Sequence, residues 1–331
     1  CAAYGRCGGC VMQHISEEEQ RAIKFQTLCD NLERIGKVEP DAWLEPIVAP
    51  AWHYRRRARL AVKDVPAKGR VLVGFRERHA PFITDMQRCE VLAKPVDALI
   101  SPLSELIASL SIRARVPQIE VAVAENATAL VFRVLDPPSS DDEALLQEFG
   151  ARHDLRIYLQ AGGLDSVAPL LPDDDAEPLC YTLKDFDVRI DFDPVGFVQV
   201  NDAINEQMVT QAVEYLELSD DHRVLDLYCG LGNFSLPIAR RCGEVLGVEG
   251  DAMLVAAAER NAASNLLQNA SFRTADLSKI DGSENWLGEH WDRVLLDPAR
   301  SGAAEVVGQM QIINACLLYT SPSPRDLNPN L

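Results

Sequence analysis

The chain has 331 residues, and its 50 acidic against 32 basic side chains give a formal net charge of −18. This length predicts about two domains, and the acidic total taken alone argues against a nucleic-acid partner, because phosphate repels a uniformly acidic surface. No apolar run approaches the roughly 20 residues of a membrane helix, and nine cysteines do not form the even disulfide framework of a secreted domain, so we expect a cytoplasmic protein with no membrane partner.

Three cysteines fall within the first ten residues, at positions 1, 7 and 10. Their thiolates are potential metal ligands, and a fourth ligand has to come from one of the other cysteines. Four thiolates suit an iron–sulfur cluster. A structural zinc site usually pairs two C-x2-C units, of which this chain has one, and cysteines without a metal are a third interpretation. The spacing alone leaves the cluster and the zinc site open.

A helix and then a strand-rich region follow the cysteines. Ser16 and Glu19 have the spacing of a capping box, and apolar residues recur at helical intervals as far as Gly36. From 40 to about 193, alternating residues and turns predict mostly strands, with one helix that has an acidic first turn. The predicted elements are hairpins of 58–65 with 70–76 and of 119–125 with 129–135, a helix over 139–153, and strands at 154–160 and 181–192.

A basic block lies around the first predicted hairpin, next to the aromatic and imidazole rings at 52–54. Strand alternation places three of its arginines on one face and Arg56 on the other, with a further arginine across the hairpin. Folded RNA is held by phosphate contacts and by stacking on unpaired bases, which this mixture of side chains offers. A solvated charged strand is the simpler alternative. The pattern alone leaves both interpretations open, and the residues that would contact RNA are Arg55, Arg57, Arg59 and Arg76.

From about residue 200, short helices and strands alternate, which predicts a parallel sheet covered by helices. In its first part, VLDLYCGLGNF runs from an apolar strand through Gly230 and Gly232 into a helix. Glycines at such a turn allow a ligand to approach the backbone, and the start of the helix offers free N–H groups. A tight strand–helix turn without a ligand is the simpler alternative.

Acidic residues at the ends of the next strands favour a nucleotide-like ligand. Glu249 ends the strand after the turn, where an acid binds two ribose hydroxyls, and Asp276 ends the strand that follows. A nicotinamide dinucleotide site needs a third glycine at the position that Ser235 occupies. The pattern therefore favours S-adenosylmethionine (SAM) over NAD.

Several motifs occur in a fixed order along the chain: CGGCVMQH, WHYRRRARL, MQRCEVL, FVQVN, DLYCGLGNFSLP, GVEG and LLDPARSGA. Together they resemble the RNA uracil-5-methyltransferases, and the cysteine-rich opening is similar to the branch that carries an iron–sulfur cluster and modifies 23S ribosomal RNA. The likeness covers about residues 1–313. It implies an α/β, Rossmann-like class I SAM-dependent methyltransferase domain, preceded by a mixed α+β domain with an iron–sulfur cluster loop.

The resemblance also implies ligands and domains, motif by motif. The implied [4Fe-4S] ligands are Cys1, Cys7, Cys10 and Cys89. The implied SAM contacts are Gln199, Tyr228, Gly230, Gly232, Asn233, Glu249, Asp276 and Asp297. The implied domains are a cluster loop and helix over 1–40, a β-rich RNA-binding domain over 41–195 and a partial SAM-binding domain over 196–313.

The chemistry of this family needs a cysteine thiolate that we expect this chain to lack. In the family the thiolate adds to C6 of uracil, C5 then takes the methyl group, and a base removes the C5 proton. The family's spacing from the DPAR motif places that cysteine at Ser323, whereas Cys316 comes too early, Cys229 matches a family cysteine that is not the nucleophile, and Cys242 has a helix pattern.

The region after the last recognised motif is expected to be foreign to the family. Residues 314–331 are rich in proline, serine and asparagine, which predicts no strand there. We count four strands over 223–296, fewer than the family's sheet contains. We therefore expect a fold that is incomplete at its C-terminus, a chain truncated at both ends, and no turnover.

The leading prediction is a protein of the family that methylates C5 of a uracil in 23S ribosomal RNA, with SAM and a [4Fe-4S] cluster, as a monomer. A transfer-RNA paralogue with the same chemistry is the second prediction, which the opening cysteines disfavour. A metal-bound RNA-binding module without catalysis is the third.

Overall fold

The computed structural model describes residues 1–172, 175–299, 302–313, 315 and 317–320, and these residues form two compact units. The predicted domain boundaries differ from this division, because the cysteine loop (residues 1–14) joins the strand-rich region instead of standing apart from it. Unit 1 consists of Cys1–Gln20, Val48–Cys180 and Phe192–Ala203, and unit 2 consists of Arg21–Ile47, Tyr181–Asp191 and the described residues from Ile204 onward.

The predicted first helix is present as α1 (Glu17–Asn31), which continues as a π-helical turn over Leu32–Gly36. The backbone N–H of Glu19 donates to the hydroxyl of Ser16 at 3.2 Å, as the capping-box spacing predicts. No residue of α1 is fully buried. The apolar residues that predict an amphipathic helix therefore stay partly exposed, with Ile35 at 76%.

A six-stranded sheet forms the centre of unit 1. Its strands are β1 (Arg57–Val65), β2 (Arg70–Gly74), β3 (Gln118–Val123), β4 (Thr128–Arg133), β5 (Leu155–Gln160) and β6 (Val167–Pro169). Their order is β2-β1-β3-β4-β5-β6, and all neighbours are antiparallel except β4 and β5. Both predicted hairpins are confirmed, β1 with β2 and β3 with β4.

Two helices in unit 1 pack on one face of this sheet, α2 (Ile100–Ser109) and α3 (Ser140–His153). Alternate strand residues such as Leu60 and Phe132 point into this core, which is the pattern expected when one face of a sheet is covered. The acidic first turn of α3 predicts this helix from the sequence. The helix α2 is not among the predicted elements, because the residues around it indicate strands.

Unit 2 contains a parallel sheet of five strands in the order β11-β10-β9-β12-β13, and a second sheet pairs β7 with β8. The strands are β7 (Leu179–Leu183), β8 (Val188–Phe192), β9 (Arg223–Leu227), β10 (Glu244–Glu249), β11 (Ala270–Thr274), β12 (Arg293–Leu296) and β13 (Leu317–Thr320). The helices are α4 (Asp202–Tyr215), α5 (Ser235–Ala239), α6 (Ala252–Ser264), α7 (Ala304–Gly308) and α8 (Met310–Ile313).

The four strands predicted over 223–296 are confirmed, and β13 is an addition that corrects the sequence analysis. The frequent prolines beyond residue 313 predict no strand there. The four residues Leu317–Thr320 nevertheless precede the first of those prolines, are apolar or β-branched, and pair in parallel with β12. Within the described ranges, no helix is both long enough and apolar enough to cross a membrane.

Candidate functional site

The glycine turn (residues 228–232) joins β9 to α5 at the carboxyl end of the parallel sheet. Gly230 and Gly232 have positive φ angles of 56° and 95°, which favour glycine. A Cβ built on Gly232 would lie 3.1 Å from the side chain of Leu236, so this glycine is needed for packing. A Cβ built on Gly230 would meet nothing within 4 Å. The backbone at Gly230 therefore borders open space that a ligand can approach.

Glu249 is held across the ends of two neighbouring strands. One carboxylate oxygen, Oε2, accepts from the N–H of Gly230 at 3.1 Å. The other, Oε1, accepts from the N–H groups of Gly250 at 2.7 Å and Asp251 at 3.1 Å. Three backbone donors thus fix the position of the carboxylate beside the glycine turn, as a pre-formed acceptor for hydroxyl groups.

A buried acid, Asp226, lies in β9 beneath the glycine turn, and the sequence analysis missed it. Its Oδ2 accepts from the hydroxyl of Ser235, and its Oδ1 has no hydrogen-bond partner among the described residues. Burial raises the pKa of Asp226 to about 7, and the charges of Asp297 and Glu249 add to that rise. The signal in the sequence was a single acid inside the apolar run VLDLY.

The amide of Asn233 forms a closed network of hydrogen bonds within unit 2. Its Oδ1 accepts from the hydroxyl of Tyr181 at 2.7 Å and from Nδ2 of Asn205 at 3.0 Å. Its Nδ2 donates to Oδ1 of Asn205 at 2.9 Å. The predicted cofactor contact is therefore oriented by protein groups that hold the first residues after the glycine turn in place.

Acidic side chains gather around Tyr228, the first residue of the glycine turn. Burial raises the pKa of its hydroxyl, and the charges of Glu305, Glu249 and Asp276 raise it further. Asp276 accepts from Lys279 and from the hydroxyl of Ser278, and these hydrogen bonds lower its pKa to about 2. The structure thus brings four predicted cofactor residues, Tyr228, Gly230, Glu249 and Asp276, to one edge of the sheet.

Two predicted cofactor residues need separate description. Asp297 follows β12, and its N–H donates to the carbonyl of Leu227 at 3.4 Å, which places it beside the end of β9. Gln199 belongs to unit 1, unlike the other predicted cofactor contacts. Its main-chain oxygen accepts from Nε of Arg56 at 2.8 Å, so a buried arginine fixes its backbone.

The cysteine loop is attached to the strand-rich part of unit 1 by backbone hydrogen bonds. Cys7 pairs with Glu77 in an antiparallel bridge, and the N–H of Gly8 donates to the carbonyl of Arg76 at 2.8 Å. The guanidinium group of Arg78 donates to the carbonyl of Cys10 at 3.0 Å. These bonds bring the loop next to the segment that carries the fourth predicted ligand.

Three of the four predicted metal ligands influence one another. Burial raises the pKa of Cys10, and the neighbouring thiols of Cys89 and Cys7 raise it further. Burial likewise raises the pKa of Cys89, against the effect of the N–H groups of Val91 and Leu92. Cys1 is exposed. In the part of the chain that the structure describes, no three Cys, His, Asp or Glu side chains are arranged to hold a single metal ion.

The basic block divides into buried and exposed arginines. Arg56 is buried and pairs with Asp202. Arg57 is also largely buried, with 13% of its side chain exposed, and it donates to the carbonyl of Pro194. Burial lowers the pKa of Arg57 to about 10, so it stays charged at neutral pH. The expectation that Arg57 faces outward is therefore not met, because its charge is directed into unit 1.

The other predicted RNA contacts are more accessible. The side chain of Arg59 is 68% exposed, although its guanidinium group pairs with Glu120 at 3.0 Å. Arg76 is exposed and donates to the carbonyl of Pro81 at 3.1 Å. Arg55 is half-buried and precedes β1.

Two cysteines between β9 and β10, Cys229 and Cys242, have poorly nucleophilic thiols. Burial raises the pKa of Cys229 well above its ordinary value, and Asp226 and Glu249 add to that rise. Burial also raises the pKa of Cys242 to about 12. Thiols with such raised pKa values are rarely ionised at neutral pH. Ser323, which stands at the predicted position of the nucleophile, lies outside the described residues. Cys316 also lies outside them.

Comparison with known sequences gives consistent matches. A family model described as tRNA (Uracil-5-)-methyltransferase matches residues 45–331. The 23S rRNA (uracil(1939)-C(5))-methyltransferase RlmD of Methylococcus capsulatus is 50% identical over 93% of this chain and 69% of that protein. Proteins of the same name from Stenotrophomonas maltophilia and Nitrosospira multiformis are 46% and 44% identical, each over 99% of this chain and over 73% and 75% of their own lengths.

A solved structure shares the fold. The tRNA (uracil-54, C5)-methyltransferase of Pyrococcus abyssi, crystallised with S-adenosyl-L-homocysteine, superposes with a TM-score of 0.69. The match covers 93% of this chain and 76% of that one, at 21% sequence identity. The fold of this chain is thus the α/β fold of that SAM-dependent methyltransferase.

Proposed function

Because this chain belongs to the RNA uracil-5-methyltransferase family, we propose that it derives from an enzyme that transfers a methyl group from SAM to C5 of a uracil in 23S ribosomal RNA. The observation that carries the proposal is the carboxylate of Glu249, fixed beside the open backbone of Gly230. The rRNA target rests on relatives of that name at 44–50% identity. We propose that the target is the uracil equivalent to the one numbered 1939 in those names. We also propose that the protein is cytoplasmic and monomeric.

The cofactor residues of unit 2 have distinct proposed roles. SAM, when bound, supplies the methyl group. Oε1 of Glu249 already accepts from two backbone N–H groups, whereas Oε2 accepts from one and keeps a lone pair that would accept a hydrogen bond from a ribose hydroxyl. Asp276 would accept from the adenine amino group, in place of its contacts with Ser278 and Lys279. The ring of Tyr228 would pack against the cofactor, and Gly232 allows the turn.

Three further predicted cofactor residues complete the proposed site. Asp297 would border both the cofactor and the target uracil, and the network around Asn233 would orient the turn. Gln199 is proposed as a SAM contact on the strength of the family motif FVQVN.

We propose that Cys1, Cys7, Cys10 and Cys89 hold a [4Fe-4S] cluster. Burial and the nearby thiols of Cys89 and Cys7 raise the pKa of Cys10, which supports this, because adjacent buried thiolates need a nearby cation. The N–H of Gly9 donates to the sulfur of Cys7 at 3.4 Å, the kind of contact that stabilises cluster sulfurs. A cluster of several iron atoms separates its sulfur ligands further than a single ion does, so the lack of a single-ion arrangement in the described residues does not oppose it.

The accessible arginines of unit 1 are proposed RNA contacts. Arg59 and Arg76 expose their guanidinium groups, and Arg55 lies just before β1. Arg57 would act by holding the segment around Pro194 in place. We propose that the 331-residue chain itself does not turn over, since the thiols of Cys229 and Cys242 resist deprotonation and no Ser-Cys-Asn-Pro motif occurs in the sequence.

A chimera tests the proposed function. Residues 1–313 are joined to the C-terminal segment of the Methylococcus capsulatus relative and incubated with tritiated SAM. We expect incorporation into unmodified 23S rRNA and not into transfer RNA, no incorporation with Glu249→Ala in the chimera, and none with the 331-residue chain. Preferred methylation of transfer RNA would assign the chain to the paralogue, and incorporation by the 331-residue chain would refute its inactivity.

A further inference from the structure

A row of residues crosses five strands on the face of the unit 1 sheet opposite α2 and α3. Register places Ala61 beside both Gly74 and Gln118, Gln118 beside Arg133, and Arg133 beside Gln160. Small residues at one end of the row and longer polar ones at the other leave a concavity of about 660 Å³, which we call the sheet groove.

The sheet groove carries excess positive charge in an acidic chain. Three arginines line it, Arg59, Arg76 and Arg133, against one carboxylate, Glu120. Glu120 already accepts from Arg59 and from the amide of Gln118 at 3.0 Å. The whole chain has a net charge of −18, so this surface differs in sign from the average surface.

Arg133 is the central cation of the groove. It is half-buried, and its guanidinium group has no ion-pair or hydrogen-bond partner among the described residues. Arg76 is exposed at the rim, and the ring of Phe75 is half-buried beside it. The five donors of this guanidinium group are therefore available to an anion that enters the groove.

We propose that the sheet groove binds a single-stranded segment of the RNA substrate, with a backbone phosphate on Arg133. This rests on the proposed function, because it takes RNA as the polyanion. Arginine matches phosphate through two parallel hydrogen bonds. The groove extends the predicted RNA surface from Arg59 and Arg76 across three more strands. Arg133, Gln118 and Gln160 gave no signal of their own, because each is the first or last residue of a strand whose other residues are mostly apolar.

Binding of a fluorescein-labelled single-stranded RNA oligonucleotide, followed by anisotropy over a range of salt concentrations, tests the groove. Arg133→Gln should lower affinity about tenfold and reduce the slope of log affinity against log salt by about 0.7, the loss of one phosphate contact. Arg152→Gln removes the same charge from an exposed ion pair on α3 and should change neither quantity. Arg133→Lys should keep the salt slope and lose less affinity.

Arg76→Gln repeats the test at an exposed position, where the substitution should not impair folding, and it should also lower the affinity for the oligonucleotide. Equal affinities for Arg133→Gln and Arg152→Gln, or no RNA binding by the parent chain, would overturn the proposal. Competition by poly-glutamate as strong as by RNA would assign the groove to acidic polypeptides and overturn it too. If Arg133→Gln does not weaken RNA binding while the chimera still methylates 23S rRNA, the proposed function stands. If the chimera is inactive while Arg133→Gln still weakens RNA binding, the proposed function falls alone.

Discussion

The glycine turn and the cysteine loop differ in how far the protein alone organises them. At the glycine turn, backbone N–H groups fix Glu249, and a closed amide network fixes Asn233. In the cysteine loop, burial and the nearby thiols of Cys89 and Cys7 raise the pKa of Cys10, and Cys1 is exposed. Folding thus positions the groups of the glycine turn, whereas among the described residues it does not gather the four proposed cluster ligands around one point.

The largest effect is expected when a proposed metal ligand is removed, which should change the cysteine loop and leave the glycine turn unchanged. Cys89→Ser should abolish bound iron and sulfide and lower the free energy of unfolding of unit 1 by several kcal/mol, because metal ligation joins the cysteine loop to the strand domain. SAM affinity should not change. Anaerobic iron and sulfide analysis with hydrogen exchange measures both.

The control for this change is Cys29→Ser, which alters a half-buried helical cysteine that is not a predicted ligand. It should keep the iron and the protection from exchange. A colourless protein that contains zinc would contradict the cluster, and equal iron content in Cys89→Ser and the parent would contradict the ligand assignment.

The next prediction concerns the free energy of unfolding that is lost when the buried Asp226, beneath the glycine turn, ionises. The pKa of Asp226 is about 7 in the folded chain and near 4 when unfolded, so the folded state binds the proton more tightly. The contribution of Asp226 to the free energy of unfolding is fully present below pH 4. It is lost as the pH rises through 7, and the total loss is about 4 kcal/mol. Asp226→Asn should remove this part of the pH dependence.

Urea unfolding monitored between pH 4.5 and 8 checks this prediction, with Asp221→Asn, at an exposed position, as the matched control. If the free energy of unfolding had the same pH dependence in the parent and in Asp226→Asn, the prediction would be wrong, because Asp226 would then ionise normally in the folded chain.

The smallest effect concerns a carboxylate that is organised like Glu249 but lies at no proposed site. Burial alone would raise the pKa of Asp142, yet hydrogen bonds from Ser111 and Ser139 lower it to about 2. Its stabilisation is present above pH 4 and is lost as pH falls through 2. Asp142→Ala should cost about 2 kcal/mol at pH 7, through loss of the capping box of α3.

Thermal unfolding compares Asp142→Ala with Asp141→Ala, its exposed neighbour in the same turn. A loss as large in Asp141→Ala would indicate a general effect of helix charge, rather than the cap. Neither variant should change SAM or RNA affinity.

The sequence predicted those features that follow from local patterns. The two hairpins of unit 1, the capped helix α3 and the strand–turn–helix around Gly230 were all found from alternation, acidic caps and glycine spacing. The strand β13 was missed because prolines nearby obscured four suitable residues. The helix α2 was missed because a strand-rich context outweighed its own pattern.

Site residues that depend on packing were harder to predict. Arg57 has the same sequence context as Arg59, yet one is directed inward to Pro194 and the other outward, which only the fold decides. Asp226 is a single acid within an apolar run, and its partner Ser235 lies nine residues further along the chain. Arg133 becomes notable only when register places it beside Gln118 and Gln160.

Calorimetric titration of the 331-residue chain with SAM tests most directly whether the glycine turn is a cofactor site formed by the protein alone. We predict binding at one site, with about 100-fold lower affinity in Glu249→Ala, because a charge-assisted hydrogen bond is lost, and with unchanged affinity in Cys89→Ser. No heat of binding in the parent chain, or equal affinity in Glu249→Ala, would contradict it.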